Sequence, residues 1–164
     1  MAWSTPSHRL RIPRAAFAIV KEAARHLLRR PIVGIAAAAR TADGRWLLIR
    51  RADLGQWALA GGTLEWGETL RTAIAREMAE EAGVDRCDVV RVVGVYSRPD
   101  RDPRFHGVTV VVECLIDPPV RPPLNPLEIA EARLFAASEI PGELAMGMED
   151  MMRAAIEGGP VVLE

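Results

Sequence analysis

The sequence predicts an α/β fold in which a mixed β-sheet carries helices on both faces, an α/β/α sandwich preceded by a helical extension. Three observations point there. Short apolar runs rich in Val and Ile alternate with turn residues between positions 31 and 136, an acidic helical pattern interrupts them near the middle, and a second helical pattern closes the chain at residues 146–157. With 164 residues and 49% apolar content, the chain is long enough for one proper core. The expected division is an extension at residues 1–30 and a single domain at 31–164.

Residues 1–30 are rich in Arg and nearly free of acids, and from 13 to 29 they are amphipathic, with Phe17, Val20, Ala24 and Leu27 as the apolar stripe. Such a helix can pack on its own domain or on a dimer partner, lie in a membrane interface, or serve as a targeting presequence. No apolar stretch is followed by a small-residue cleavage site, which argues against secretion. None approaches the roughly 20 residues that a membrane span requires.

Residues 31–39 and 45–51 then read as a hairpin, with Thr41, Ala42, Asp43 and Gly44 as its connection. Further strands are expected at 89–97, 107–116 and 132–136. The methionines of the closing helix fit core or interface positions better than a cofactor box. Cys87 and Cys114 are too few for a disulfide framework, and Cys114 lies in an apolar run, so both are expected reduced, in a cytoplasmic protein. A net charge of −1 offers no bulk attraction to nucleic acid or to an anionic membrane, so neither is an expected partner. A polyanionic substrate would have to be gripped locally.

The most informative stretch is residues 62–84, GTLEWGETLRTAIAREMAEEAGV. A helix turns about 100° per residue, so Glu77, Glu80 and Glu81 share one face, and Glu77 and Glu81 form a like-charged i,i+4 pair. Arg76 can reach Glu80, but neither Glu77 nor Glu81 has a basic residue three or four positions away. Two readings follow: a solvated charged face, or oxygen ligands for a hard divalent ion such as Mg²⁺ or Mn²⁺. The lack of a His/Cys cluster argues against zinc. Ile74, Met78 and Ala82 form an apolar flank beside the acids, Thr69 can cap the helix start, and Gly83 can stop its end. Gly61 and Gly62 allow close backbone approach to a ligand.

These residues resemble the signature of the Nudix hydrolases, G-x5-E-x7-R-E-U-x-E-E-x-G-U with U bulky and apolar. Every fixed position matches, at Gly62, Glu68, Arg76, Glu77, Met78, Glu80, Glu81, Gly83 and Val84. One departure precedes it, since Ala60 stands where the family commonly has Pro. The resemblance implies the Nudix α/β/α sandwich, with Glu77 and Glu81 as the main metal ligands, Glu80 as a further or water-mediated one, and the Gly61 carbonyl completing the shell. Glu68 and Arg76 fit a structural ion pair. It also implies a general base that is either a signature glutamate (Glu80 or Glu81) or an acid on a late loop. Glu128 and Glu131 are the late candidates, and Glu128 is preferred because it lies where the proline-rich loop 117–126 gives way to the next strand. An ordinary loop carboxylate is the alternative for either. Related pyrophosphatases build homodimers through their N-terminal segments, which implies the same role for residues 1–30.

Residues 98–106, followed by Gly-Val-Thr-Val-Val, resemble the loop and strand of bacterial and archaeal enzymes that cleave ADP-ribose and nucleoside diphosphate sugars. Arg98, Arg101 and Arg104 suit phosphate oxygens, although the same loop also fits a self-paired surface turn. Arg51 is a further substrate-binding candidate. His106 fits a structural hydrogen bond as well as a substrate contact. Trp57, Trp66, Tyr96 and Phe105 are candidates for stacking on a base, with Trp57 equally suited to the core. The expected activity is metal-dependent hydrolysis of a nucleoside diphosphate linked to another moiety, giving a nucleoside monophosphate and a sugar phosphate. A pyrophosphatase of ordinary or oxidised nucleoside triphosphates is the enzymatic alternative, and a non-catalytic nucleotide sensor a remote one.

Overall fold

The structure, a computed structural model, describes residues 18–22, 24 and 30–164. Residues 18–22 and 24 are helical. Phe17 and Leu27 of the expected stripe lie outside the described residues, as does most of the extension. Residues 31–164 form one compact unit. Among the described residues, no helix is long and apolar enough to cross a membrane.

Eight strands make a single sheet: β1 (Ile32–Thr41), β2 (Trp46–Arg51), β3 (Trp57–Ala58), β4 (Ala60–Thr63), β5 (Cys87–Tyr96), β6 (Gly107–Ile116), β7 (Ile129–Phe135) and β8 (Val162–Leu163). The main order is β3-β2-β1-β6-β5-β8, with β4 also on β1 and β7 also on β2. Pairs β1–β6 and β5–β8 are parallel and the others antiparallel, so the sheet is mixed as expected. The expected hairpin is only partly one. β1 meets β2 at Ala39 and Arg40 alone, and gives Gly34 to Ala37 to β4 instead. Three strands, β3, β4 and β8, were not foreseen. They are too short to show periodicity, and the glycines of β4 read as a turn.

Helix α1 (Leu70–Ala82) covers one face and α2 (Glu149–Glu157) the other. Strand alternation sorts the core between them. Ile35, Ala37, Ala39, Leu47 and Ile49 face α1, where they meet Ala73, Ile74, Met78 and Ala82. Ala36, Ala38, Trp46 and Leu48 face the other way and pack with Met151, Met152 and Ala155 of α2. The run of alanines in β1 thus belongs to a central strand buried on both faces. On the sheet itself, Glu113 is buried between Arg40 (2.8 Å) and Arg91 (2.7 Å), which hold its carboxyl below the usual range despite the burial that would raise it.

The ends of α1 follow the sequence. The Thr69 hydroxyl accepts the Thr72 N–H at 3.2 Å, and the Thr72 hydroxyl accepts the Thr69 N–H at 3.0 Å, a reciprocal cap. Gly83 ends the helix with φ 66° and ψ 28°, and a Cβ there would collide with the Arg121 carbonyl oxygen. Both effects exclude a side chain. Gly83→Ala is therefore expected to lower stability by about 1–3 kcal/mol, measured by urea unfolding, because the left-handed backbone and the packed loop oppose it together.

Candidate active site

Glu77 and Glu81 project from successive turns of α1 toward β4, and both are nearly buried, at 9% and 7% exposure. Their depth comes from the glycine pair beneath them. A Cβ on Gly62 would overlap the Glu77 carboxylate, and one on Gly61 would overlap the Ile35 backbone of β1. The Gly61 N–H donates to Glu81 Oε2 at 2.8 Å. Ala60, where the resemblance leads one to expect Pro, is part of the β4–β1 ladder, opposite Ala37.

The surrounding charges differ from the sequence expectation in one respect. Glu77 does have an internal cation, because the Arg76 guanidinium turns back and places Nη1 2.9 Å from Glu77 Oε1. Helical spacing missed this contact, since adjacent residues diverge by about 100° and only a long side chain closes the gap. Arg76 also takes Glu68 in a two-pronged pair, Nε to Oε1 at 2.9 Å and Nη2 to Oε2 at 3.1 Å, the ion pair anticipated from the sequence. Burial pushes the Glu77 carboxyl up while Arg76 draws it down, and Glu80 and Glu128 add to the rise. Among the described residues, Glu81 has no such cation in contact. Burial pushes it up to about 8, the Gly61 N–H opposes this, and the charges of Glu77 and Glu128 reinforce it.

These two acids form one wall of a cleft of about 310 Å³. Gly61, Arg51, Glu128, Tyr96, Arg98, Arg104 and Phe105 share its lining. Each arginine already has an acidic neighbour: Arg51 with Asp53 at 2.9 Å, Arg98 with Asp100 at 3.4 Å, and Arg104 with Asp102 at 2.7 Å. The two readings of the 98–106 loop are therefore both realised. It is self-paired, and it faces the cleft. Tyr96 is 3% exposed and its hydroxyl has no hydrogen-bond partner among the described residues.

Other expected residues stand elsewhere. Glu80 is on the exposed side of α1, outside the cleft lining, with its carboxylate 3.5 Å from Arg76. The third acid of the face is rotated outward, because Glu77 and Glu81 use the arc that packs on β4. Trp57 is also outside the lining; its ring meets Phe135 edge-on at 4.9 Å and carries the Arg133 guanidinium at 4.8 Å, so it belongs to the packing of β3 and β7. His106 is exposed and its Nε2 hydrogen-bonds the Ser97 carbonyl at 2.8 Å, a loop contact away from the lining. Trp66 is fully exposed. Glu131 pairs with Arg133 at 2.9 Å and Arg50 at 3.3 Å, outside the lining, whereas Glu128 is in it. The sequence reading missed Met146, Met148 and Met151, which line the cleft from the closing segment. Only the backbone hints at this: Met146 has φ 58° and ψ 27°, a left-handed conformation unusual for a side chain of its size.

No three acidic, histidine or cysteine side chains among the described residues converge as a finished metal cage. The donor set nonetheless fits a hard divalent cation. Its oxygens come from buried carboxylates, and Glu81 is dehydrated with one N–H as its sole hydrogen-bond donor among the described residues, a state that a cation would relieve.

The NUDIX domain model matches residues 28–155. A MutT-like protein of Streptomyces ambofaciens is 48% identical over 69 residues, which is 42% of this chain and 44% of the relative. An ADP-ribose pyrophosphatase of Methanocaldococcus jannaschii is 46% identical over 72 residues, 42% of each chain. The chain thus spans less than half the length of these curated relatives. Among solved structures, a MutT NUDIX hydrolase from Burkholderia pseudomallei is 30% identical, with a TM-score of 0.62 over 79% of this chain and 98% of that one.

The Glu81 carboxyl makes a pH signature. Its folded value of about 8 lies above the ordinary carboxylate value of about 4.3, so above that ordinary value the unfolded chain holds fewer protons than the folded one. Ion-free protein is expected to lose stability as pH rises from about 4.5 through 8. Glu81→Gln should flatten that slope in chelator-containing buffer, followed by thermal melts across the range.

Proposed function

This chain belongs to the Nudix family, and from that premise we propose that it hydrolyses the pyrophosphate bond of a nucleoside diphosphate joined to a sugar, with ADP-ribose the best representative. The observation that carries this is the buried carboxylate of Glu81, without a cation in contact among the described residues, in one cleft with an arginine-bearing loop. Glu77, Glu81 and the Gly61 carbonyl would hold Mg²⁺ or Mn²⁺. Such an ion supplies positive charge that neutralises the diphosphate oxygens and makes a nearby water more acidic.

The rest is the work of the chain's own residues. Arg98, Arg104 and Arg51 orient the diphosphate, exchanging part of their hold on Asp100, Asp102 and Asp53 for phosphate oxygens. Phe105, in the cleft lining, offers its ring to the base, whereas Tyr96 is buried beneath the Arg101 guanidinium with its hydroxyl enclosed, and serves the packing beside the cleft. Glu128 accepts the proton of the attacking water as it adds to phosphorus and the bridging P–O bond breaks, leaving a nucleoside monophosphate and a sugar phosphate. Support for Glu128 over Glu131 is its presence in the cleft lining, where it raises the carboxyls of both Glu77 and Glu81. Similarity over 46 residues to nucleoside triphosphatases of Escherichia coli, at 48% identity, favours one second reading, hydrolysis of nucleoside triphosphates.

A panel of ADP-ribose, UDP-sugars and nucleoside triphosphates at fixed Mg²⁺, compared by kcat/KM, separates the two readings. The diphosphate sugars are expected to lead; triphosphates ahead by about tenfold would overturn the assignment. Within the site, Glu81→Gln should lower turnover by at least roughly a hundredfold while the protein stays folded, and Glu128→Gln should lower kcat more than affinity for the ion. Wild-type rates in either variant would remove that residue from its role.

A further inference from the structure

Glu164 lies outside the cleft lining, yet its amide, carbonyl and carboxylate are all directed at the segment that carries the cleft arginines. Its N–H donates to the Val95 carbonyl at 3.0 Å, and its own carbonyl accepts the Ser97 hydroxyl at 3.1 Å. Carboxylate oxygen Oε2 accepts two successive backbone amides, Ser97 at 2.8 Å and Arg98 at 2.9 Å, and Arg101 Nε at 3.1 Å. Oε1 pairs with Arg101 Nη2 and stands 3.5 Å from Arg98 Nε. β8 brings the residue there by running parallel to β5, with Gly94 opposite Val162 and Val95 opposite Leu163. Gly94 makes that approach possible, because a Cβ would come within 2.8 Å of the Val162 carbonyl.

Arg101 extends the connection to the opposite side. Its guanidinium also donates to the Gly147 carbonyl at 2.8 Å and to Asp150 at 2.6 Å, at the start of α2, while lying 5.0 Å over the Tyr96 ring. Its side chain is nearly buried, so this is a fixed strut in place of a solvated pair. The chain leaves β5 at Ser97 and reaches the cleft at Arg98. The angle of that exit is set by the two amides, and their only side-chain acceptor among the described residues is Glu164.

We propose that Glu164 is a positioning residue for the cleft: its carboxylate clamps the Ser97 and Arg98 amides together with the Arg101 guanidinium, and thereby sets where Arg98 and Arg104 stand relative to a bound diphosphate. The inference rests on reading the cleft as a nucleoside diphosphate sugar site. It concerns substrate placement, not the chemical step, so its signature is in KM.

Glu164→Ala and Glu164→Gln, made in the full chain, test it with two readouts. Amide hydrogen exchange over residues 97–104 should speed up by roughly tenfold in the alanine variant. KM for ADP-ribose should rise about fivefold with kcat within about twofold of wild type, and Glu164→Gln, which keeps an acceptor, should fall between the two. A carboxylate serving only the stability of the fold would lower the melting temperature without separating KM from kcat. Unchanged exchange over 97–104, or a loss confined to kcat, overturns the proposal. If the wild-type protein cleaves no diphosphate sugar, the reading of the site fails, and the exchange result still decides the clamp. If the alanine variant does not fold, the glutamine variant carries both readouts.

Discussion

The close approach of β4 to both β1 and α1 is the constraint from which the site follows. It needs two residues without side chains, Gly61 against the β1 backbone and Gly62 against the Glu77 carboxylate. With that spacing, two glutamates of a surface helix are drawn almost out of water, and a backbone amide becomes the hydrogen-bond donor to one of them. Burying a carboxylate with so little compensation opposes stability unless something else supplies positive charge. That cost sets the two acids apart from a solvated charged face in a way that their number does not. The third acid of the same cluster, Glu80, remains in solvent and incurs no such cost.

The cleft has a divided electrostatic plan. The acidic part of the lining is under-neutralised, with Glu81 lacking any cation in contact among the described residues and Glu77 sharing Arg76 with Glu68. The arginine-bearing part of the lining is already matched to aspartates of its own loops. Pre-paired arginines are held in place at little cost in side-chain entropy, and under the proposed function an incoming phosphate would substitute for an acid that is already present. Rigidity on that side comes from Arg101 and Glu164, which tie the loop to β5, β8 and the start of α2.

Legibility in the sequence followed the range of each interaction. The ends of α1 were readable because a threonine cap and a left-handed glycine are contacts within one turn. The apolar runs of β1, β5 and β6 were readable because each strand is ten residues long. By contrast, β3, β4 and β8 have two to four residues, and only their partners make them strands. The Arg76–Glu77 contact was missed because helical spacing counts neighbours three and four apart, while a guanidinium can reach the adjacent residue. Trp57 and His106 were ambiguous by residue type, and their distant neighbours Phe135 and Ser97 decided them.

The sequence by itself determined the family, the sandwich, the acidic face of α1 and its glycine approach, since each is written in residue types at fixed short separations along one chain segment. Tertiary structure decided which acids lose their water, which late carboxylate reaches the cleft, and that Met146 and Met151 from the closing segment line it while Glu164 braces its loop. Those outcomes depend on which segments distant in the sequence come to lie side by side. Burial and long-range pairing are properties of that assembled arrangement, and no local pattern of residues encodes them.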